Sequence, residues 1–248
     1  MTKKDAPILL IDGDILLYRA TTSVEKEVEW DEDLWVMWSD HREARIAFKD
    51  QLEAITSKVP GSVPQICLTH QHNFRKDVYP LYKANRKKTR KPMGYCEFTQ
   101  WVTENYTTII KPNIEADDVM GILATKPGNN AIIVSADKDL MQIPGKHLVD
   151  GEIITVRKED GDRFHYIQTL MGDAVDGYPG CPGIGKVKAE KILSGVLEGQ
   201  WIIIKETYEK HGFTEADALV QARCARILQW NDWDMEGQKV NLWQPSTV

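Results

Sequence analysis

The feature that most constrains this chain is a series of short apolar runs, each stopping at a polar or acidic residue. Ile8–Ile11 (ILLI) ends at Asp12, and Gln65–Thr69 (QICLT) is a second run. Thr107–Ile110 (TTII) is closed by Pro112, and Ala131–Val134 (AIIV) leads into Ser135-Ala136-Asp137. Runs of this kind suit strands buried on both faces. Helix-period patterns lie between and after them, over His41–Ser57, Gly94–Asn105 and Glu115–Thr125. Strands alternating with helices predict an α/β fold, a mostly parallel sheet with helices on both faces. Glu152–Arg157 reads as a further strand after a glycine turn. Near Phe164 the pattern becomes mainly helical, broken by a Gly/Pro-rich stretch from Gly172 to Gly185, so a second subregion begins at about residue 160. Val24–Asp40, with Trp30, Trp35 and Trp38 among acids, reads as an excursion off the sheet.

At 248 residues with 42% hydrophobic side chains the chain can bury a real core, which excludes a disordered polymer. No apolar run approaches the ~20 residues of a membrane span. The charged Met1–Pro7 segment is followed by too short an apolar stretch for a secretory signal. Cys67, Cys96, Cys181 and Cys224 are widely spaced, with no CxxC pair, which predicts reduced thiols in a cytoplasm. The net charge of −6 argues weakly against nucleic-acid binding, but Arg75–Lys91 holds eight basic residues and one acid. Local patches outweigh the total. One surface could bind a polyanion while separate acidic groups bind divalent metal.

Ligands of open α/β sheets bind at the carboxyl ends of the strands, and the acids fall there. Asp12 closes the first strand; Glu115, Asp117 and Asp118 follow the third; Asp137 and Asp139 follow the fourth. Any one of them could simply cap a helix. Together they are harder to dismiss, because two carboxylates ~4 Å apart repel by roughly 4 kcal/mol at an effective dielectric near 20. Such a cluster calls for hard divalent cations, Mg²⁺ or Mn²⁺. A pair of these ions is the usual device for hydrolysing phosphodiesters. Further on, Gly183-Ile184-Gly185 with Lys186 and Lys188 resembles a helix-hairpin-helix turn. Its backbone N–H groups and lysines could hold a sugar-phosphate backbone without reading bases. The plain alternative is a turn between two packed helices.

Five ordered blocks resemble the flap endonuclease / 5′-nuclease family with its PIN-like metal-nuclease core, as in phage 5′-3′ exonucleases and the 5′-nuclease domain of bacterial DNA polymerase I. They are Ile8–Arg19 (ILLIDGDILLYR), Phe74–Arg86 (FRKDVYPLYKANR), Glu115–Asp118 (EADD), Ser135–Leu140 (SADKDL) and Met171–Ala189 (MGDAVDGYPGCPGIGKVKA). The resemblance implies a core over 1–160 with a helical arch at about 74–105, and a helix-hairpin-helix subdomain over 161–248. It implies two Mg²⁺, replaceable by Mn²⁺, one held by Asp12, Glu115, Asp117 and Asp118, the other by Asp137, Asp139, Asp173 and Asp176. Asp12, Asp117 and Asp137 would then be central to catalysis. Lys83 and Arg86 would stabilise charge on the scissile phosphate. Tyr82 would stack on a base, Arg19 would lie beside the first aspartate, and Lys87 would sit in the arch. Gly183, Gly185, Lys186 and Lys188 would hold duplex DNA, with a K⁺ ion at the turn.

One departure stands out. Where the family has an acid after the second strand, this chain reads Cys67-Leu68-Thr69-His70-Gln71-His72. His70 is a replacement ligand, or the loss is tolerated, or the site is crippled. The expectation is a metal-dependent 5′→3′ exodeoxyribonuclease and 5′-flap endonuclease, monomeric and cytoplasmic (in a bacterial host if phage-encoded). The rivals are a DNA-binding homologue with impaired catalysis and a PIN-type ribonuclease.

Overall fold

The computed structural model describes residues 6–88, 90–196 and 198–245. In chain order, β1 (Ile8–Asp12) and α1 (Gly13–Thr22) lead to a hairpin of β2 (Lys26–Asp31) and β3 (Leu34–Trp38). Then come α2 (His41–Thr56), β4 (Val63–Leu68), the short α3 (Arg75–Val78), α4 (Tyr95–Asn105), β5 (Thr108–Ile110), α5 (Ala116–Ala124) and β6 (Ala131–Val134). β7 (Gly145–Val149) and β8 (Glu152–Val156) precede α6 (Lys158–Met171), α7 (Lys186–Ile192), α8 (Gln200–Lys210) and α9 (Glu215–Ala225), and a small β9 (Trp233–Asp234) and β10 (Lys239–Val240) pair follows.

Six strands form one sheet in the order β5-β4-β1-β6-β7-β8. It is parallel except for the β7–β8 hairpin. β1 lies between β4 and β6, with Leu10 opposite Gln65 on one side and Ile133 on the other. Its residues face two cores in alternation. Leu9 and Ile11 pack with Leu17, Phe48 and Phe98 of α1, α2 and α4. Leu10 packs with Val119 and Met120 of α5. That is why ILLI is apolar at every position. The parallel strands bring Asp12, the Thr69 loop, the Glu115 turn and the residues after Val134 to one sheet edge.

The Trp-rich segment is the β2–β3 hairpin, a separate two-stranded sheet. The segment read as an arch contains α3 and one 3₁₀ turn (Ala84–Lys88) before α4, not one long helix. α6 to α9 share a third core built on Leu170, Ile204, Tyr208 and Ala222. The C-terminal stretch differs from the expectation of one helical unit to residue 248. Ile227, Leu228 and Trp233 return to the core beneath α5. No helix among the described residues is long and apolar enough to cross a membrane.

Candidate metal centre

At the end of β1, Asp12 is the N-cap of α1: its Oδ1 accepts the Ile15 N–H at 3.1 Å. Its Oδ2 accepts the Ser135 hydroxyl at 2.8 Å, which ties β1 to the turn after β6. Gly13 lets α1 start directly against β4, since a Cβ there would lie 2.5 Å from the Ile66 side chain and 2.6 Å from the Cys67 carbonyl. Ser135 Oγ accepts the Asp137 N–H at 3.0 Å, and Asp137 Oδ1 accepts the Asp139 N–H at 2.9 Å. Asp173 turns its own loop by accepting the N–H groups of Val175 and Asp176. The capping reading of these acids is therefore correct and incomplete, because their carboxylates still border a common space.

That space is a cleft of about 350 Å³ lined by eight carboxylates and four cationic side chains. Asp12, Glu115, Asp117, Asp137, Asp139, Asp173 and Asp176 meet there, with Lys83 and Arg86 at its side. Lys83 holds a left-handed backbone (φ +54°), fixed by its N–H to the Asp176 carbonyl at 2.7 Å. This unfavourable conformation aims its ammonium between the two acidic groups. It bonds Glu115 and lies 3.4 Å from Asp176. Arg86 Nη2 donates to Asp176 at 2.6 Å.

Three of the cleft acids, Asp12, Asp117 and Asp139, are hard to ionise. Burial, with a smaller contribution from Asp14 and Asp137, raises the Asp12 carboxyl to about 6. Burial and then Asp12, Glu115 and Asp137 push Asp117 well above the carboxylate range. Burial and then Asp137, Asp173 and Asp176 raise Asp139 to about 6. Glu115 is the opposite case. Burial pushes it up, but Lys83 and Arg75 outweigh that and hold it down to about 2. The cleft thus carries more acid than its own lysines and arginines neutralise.

Several expected residues stand elsewhere. Asp118 does not line the cleft. It is fully buried and saturated, gripped by Arg75 and accepting the N–H groups of Glu115 and Leu228 at 3.1 and 3.0 Å. It completes the capping box of α5 with Glu115. Tyr82 offers no face to a base in this structure. It is 3% exposed and stacked on Tyr178, and its hydroxyl lies 2.9 Å from both Glu115 and Asp176. Arg19 sits one turn further along α1, on a neighbouring cleft of about 860 Å³ that also takes in Arg86, Arg90, Lys91 and Tyr95. His70 borders that neighbour, and its Nδ1 accepts the N–H groups of His72 and Asn113 at 3.1 Å. The Lys87 side chain lies outside the described residues.

Two residues were missed. Arg75 was read only as part of a basic stretch, yet it is 2% exposed and anchors Asp118. Asp14 was passed over inside the first block, yet it lines the cleft beside Asp12. The remaining expected group, Gly183, Gly185, Lys186 and Lys188, forms an exposed turn between α6 and α7. Gly183 has φ +77° with open space where a Cβ would sit, and Lys188 Nζ donates to the Gly183 carbonyl at 2.9 Å.

The donor chemistry fits hard divalent ions, since the acids that line the cleft offer carboxylate oxygens. Among the described residues no group of three His, Cys, Asp or Glu side chains is arranged to hold an ion directly.

Comparison with known proteins finds relatives of this chain. Residues 7–168 match the family model described as 5′-3′ exonuclease, N-terminal resolvase-like domain. The exodeoxyribonuclease of Enterobacteria phage T3 is 34% identical over 97% of this chain and 94% of its own length. The exonuclease of Escherichia phage T7 is 33% identical over the same shares. The phage T5 D15 flap endonuclease, solved as a pseudo-enzyme-product complex with DNA and metal ions, superposes with a TM-score of 0.59 at 14% identity, covering 88% of this chain and 93% of that one. With its parallel sheet, its acids at the strand ends and a matched model over most of its length, the chain belongs to the 5′-3′ exonuclease family.

Proposed function

We propose that this protein is a structure-selective 5′→3′ exodeoxyribonuclease and 5′-flap endonuclease that works with two divalent ions, Mg²⁺ or Mn²⁺. The observation that carries the reading is the surplus of carboxylates over cations in one cleft, with Lys83 and Arg86 beside it. Two divalent ions would offset that surplus. Asp12, Glu115 and Asp117 would hold one ion, and Asp137, Asp139, Asp173 and Asp176 the other. Bound there, the ions would supply Lewis-acid stabilisation of charge on the phosphate and activation of the attacking water.

The side chains divide the remaining work. Lys83 and Arg86 now neutralise Glu115 and Asp176. With divalent ions balancing those acids, Lys83 and Arg86 would be free to stabilise charge on the scissile phosphate. The neighbouring cleft, which shares Asp14 and Arg86 with the acidic one, gives the strand a basic path past Arg19, Arg90 and Lys91. The Gly183–Lys188 turn would grip the duplex through phosphates, within a helical unit running from about residue 161. A K⁺ ion at that turn would compete with Lys188 for the Gly183 carbonyl. A monomer acting in the cytoplasm of the cell that holds its DNA fits this role.

The test uses a 5′-flap DNA, a blunt duplex and a matched RNA, each labelled at both ends, with Mg²⁺, Mn²⁺ or EDTA. Release from DNA 5′ ends only with metal supports the reading. DNA binding without cleavage under any metal, or preference for RNA, would overturn it.

A further inference from the structure

The sheet edge delivers acids from every strand that reaches the cleft except β4. After Leu68 come Thr69 and His70, and both have their acceptors engaged. Thr69 Oγ1 accepts the Ala116 N–H at 3.0 Å, and His70 Nδ1 takes two backbone N–H groups. Asp14, from the first turn of α1, leans over this gap. Its Oδ1 accepts the Thr69 N–H at 3.4 Å, and its carboxylate lines the acidic cleft with Asp12 and Glu115.

The ordinary task of an acid in a first helical turn does not account for it. Asp12 already caps α1, and no N–H of that helix bonds Asp14 among the described residues. Nor is Asp14 in an ion pair there, unlike Glu115, Asp118 and Asp176. Among the described residues its hydrogen-bond partner is Thr69, and it stands beside other acids with no ion pair of its own.

We propose that Asp14 supplies the carboxylate that the end of β4 lacks, binding the first divalent ion from the β4 side together with Asp12 and Asp117. The inference rests on the two-ion reading of the cleft. It resolves the His70 departure: the ring need not be a ligand, because a carboxylate reaches the same corner from α1.

The experiment titrates Mn²⁺ into the substrate-free protein and follows free Mn²⁺ by electron paramagnetic resonance. Asp14→Asn keeps the shape of the side chain and an acceptor for Thr69, and a thermal melt confirms folding. The expected result is a loss of about tenfold or more in the tighter Mn²⁺ affinity, within the range for residues that support a metal site. The double variant Asp14→Asn/His70→Asp should recover most of it, a readout that a merely structural role would not move. Unchanged affinity in Asp14→Asn, within about twofold, overturns the inference; if Asp12→Asn abolishes binding in the same series, the two-ion reading survives it. Absence of Mn²⁺ binding in the unaltered protein would overturn both.

Discussion

Arg75 holds Asp118 through two parallel hydrogen bonds of 2.7 Å, Nη1 to Oδ2 and Nη2 to Oδ1. The pair lies sealed beneath the acidic cleft, and Arg75 spends its other donors on the carbonyls of Cys224 and Arg226 and on Glu115. One guanidinium thereby joins the start of α5 to the end of α9, fixing Glu115 at the cleft. Removing either partner leaves a buried charge alone. Arg75→Met or Asp118→Ala should each cost about 3–5 kcal/mol in urea unfolding. A loss below about 1 kcal/mol would show that the pair is not the anchor described.

Cation binding should be written into the pH dependence of stability. Asp12 and Asp139 are raised to about 6, against ~3.9 in an unfolded chain. Between those values the native state binds more protons, so the metal-free protein loses stability as pH rises through this window. Divalent ions bind the ionised acids and reverse that loss. The gain in Tm on adding Mg²⁺ should be small at about pH 5 and grow towards pH 7.5. A gain independent of pH would contradict this electrostatic account.

Tyr82 separates two readings of one motif. Its ring is stacked on Tyr178 and its hydroxyl lies between Glu115 and Asp176. Tyr82→Phe should lower stability by about 1–2 kcal/mol and slow cleavage, while affinity for duplex DNA stays the same. If instead affinity drops and stability does not, the ring leaves its site to stack on a base.

The glycine turn should behave as a phosphate contact. Lys186 and Lys188 are exposed at its rim. Replacing each by Ala should weaken all DNA sequences alike and reduce the slope of log K against log salt by about 1. An unchanged slope would place the duplex elsewhere.

Part of this fold is legible in the sequence because two central strands, β1 and β6, are apolar throughout and lead into acids. ILLI before Asp12 and AIIV before Asp137 mark β1 and β6 directly. β7 was missed because Gly145, Lys146 and His147 break any apolar run, and only pairing with β6 and β8 makes it a strand. Local spacing also misplaced Asp118, whose neighbours in sequence are cleft acids while its own side chain points to Arg75. Arg75 was invisible for the same reason. Its partners lie 40 to 151 residues away, and within its own segment it reads as one more positive charge. Asp14 was hidden by being two residues from Asp12, as its approach to Thr69 spans 55 residues of sequence.

The most direct test of the central claim is Asp117→Asn, the half-buried acid that has Asp12, Glu115 and Asp137 around it. Single-turnover cleavage of a 5′-labelled flap in Mg²⁺ would be measured beside DNA affinity in EDTA. Cleavage should fall by about 10³-fold or more, in the range for loss of a group that acts on the transition state, with affinity held or improved. Cleavage within about tenfold of the unaltered protein would show that the carboxylate cleft is not where the phosphodiester is broken.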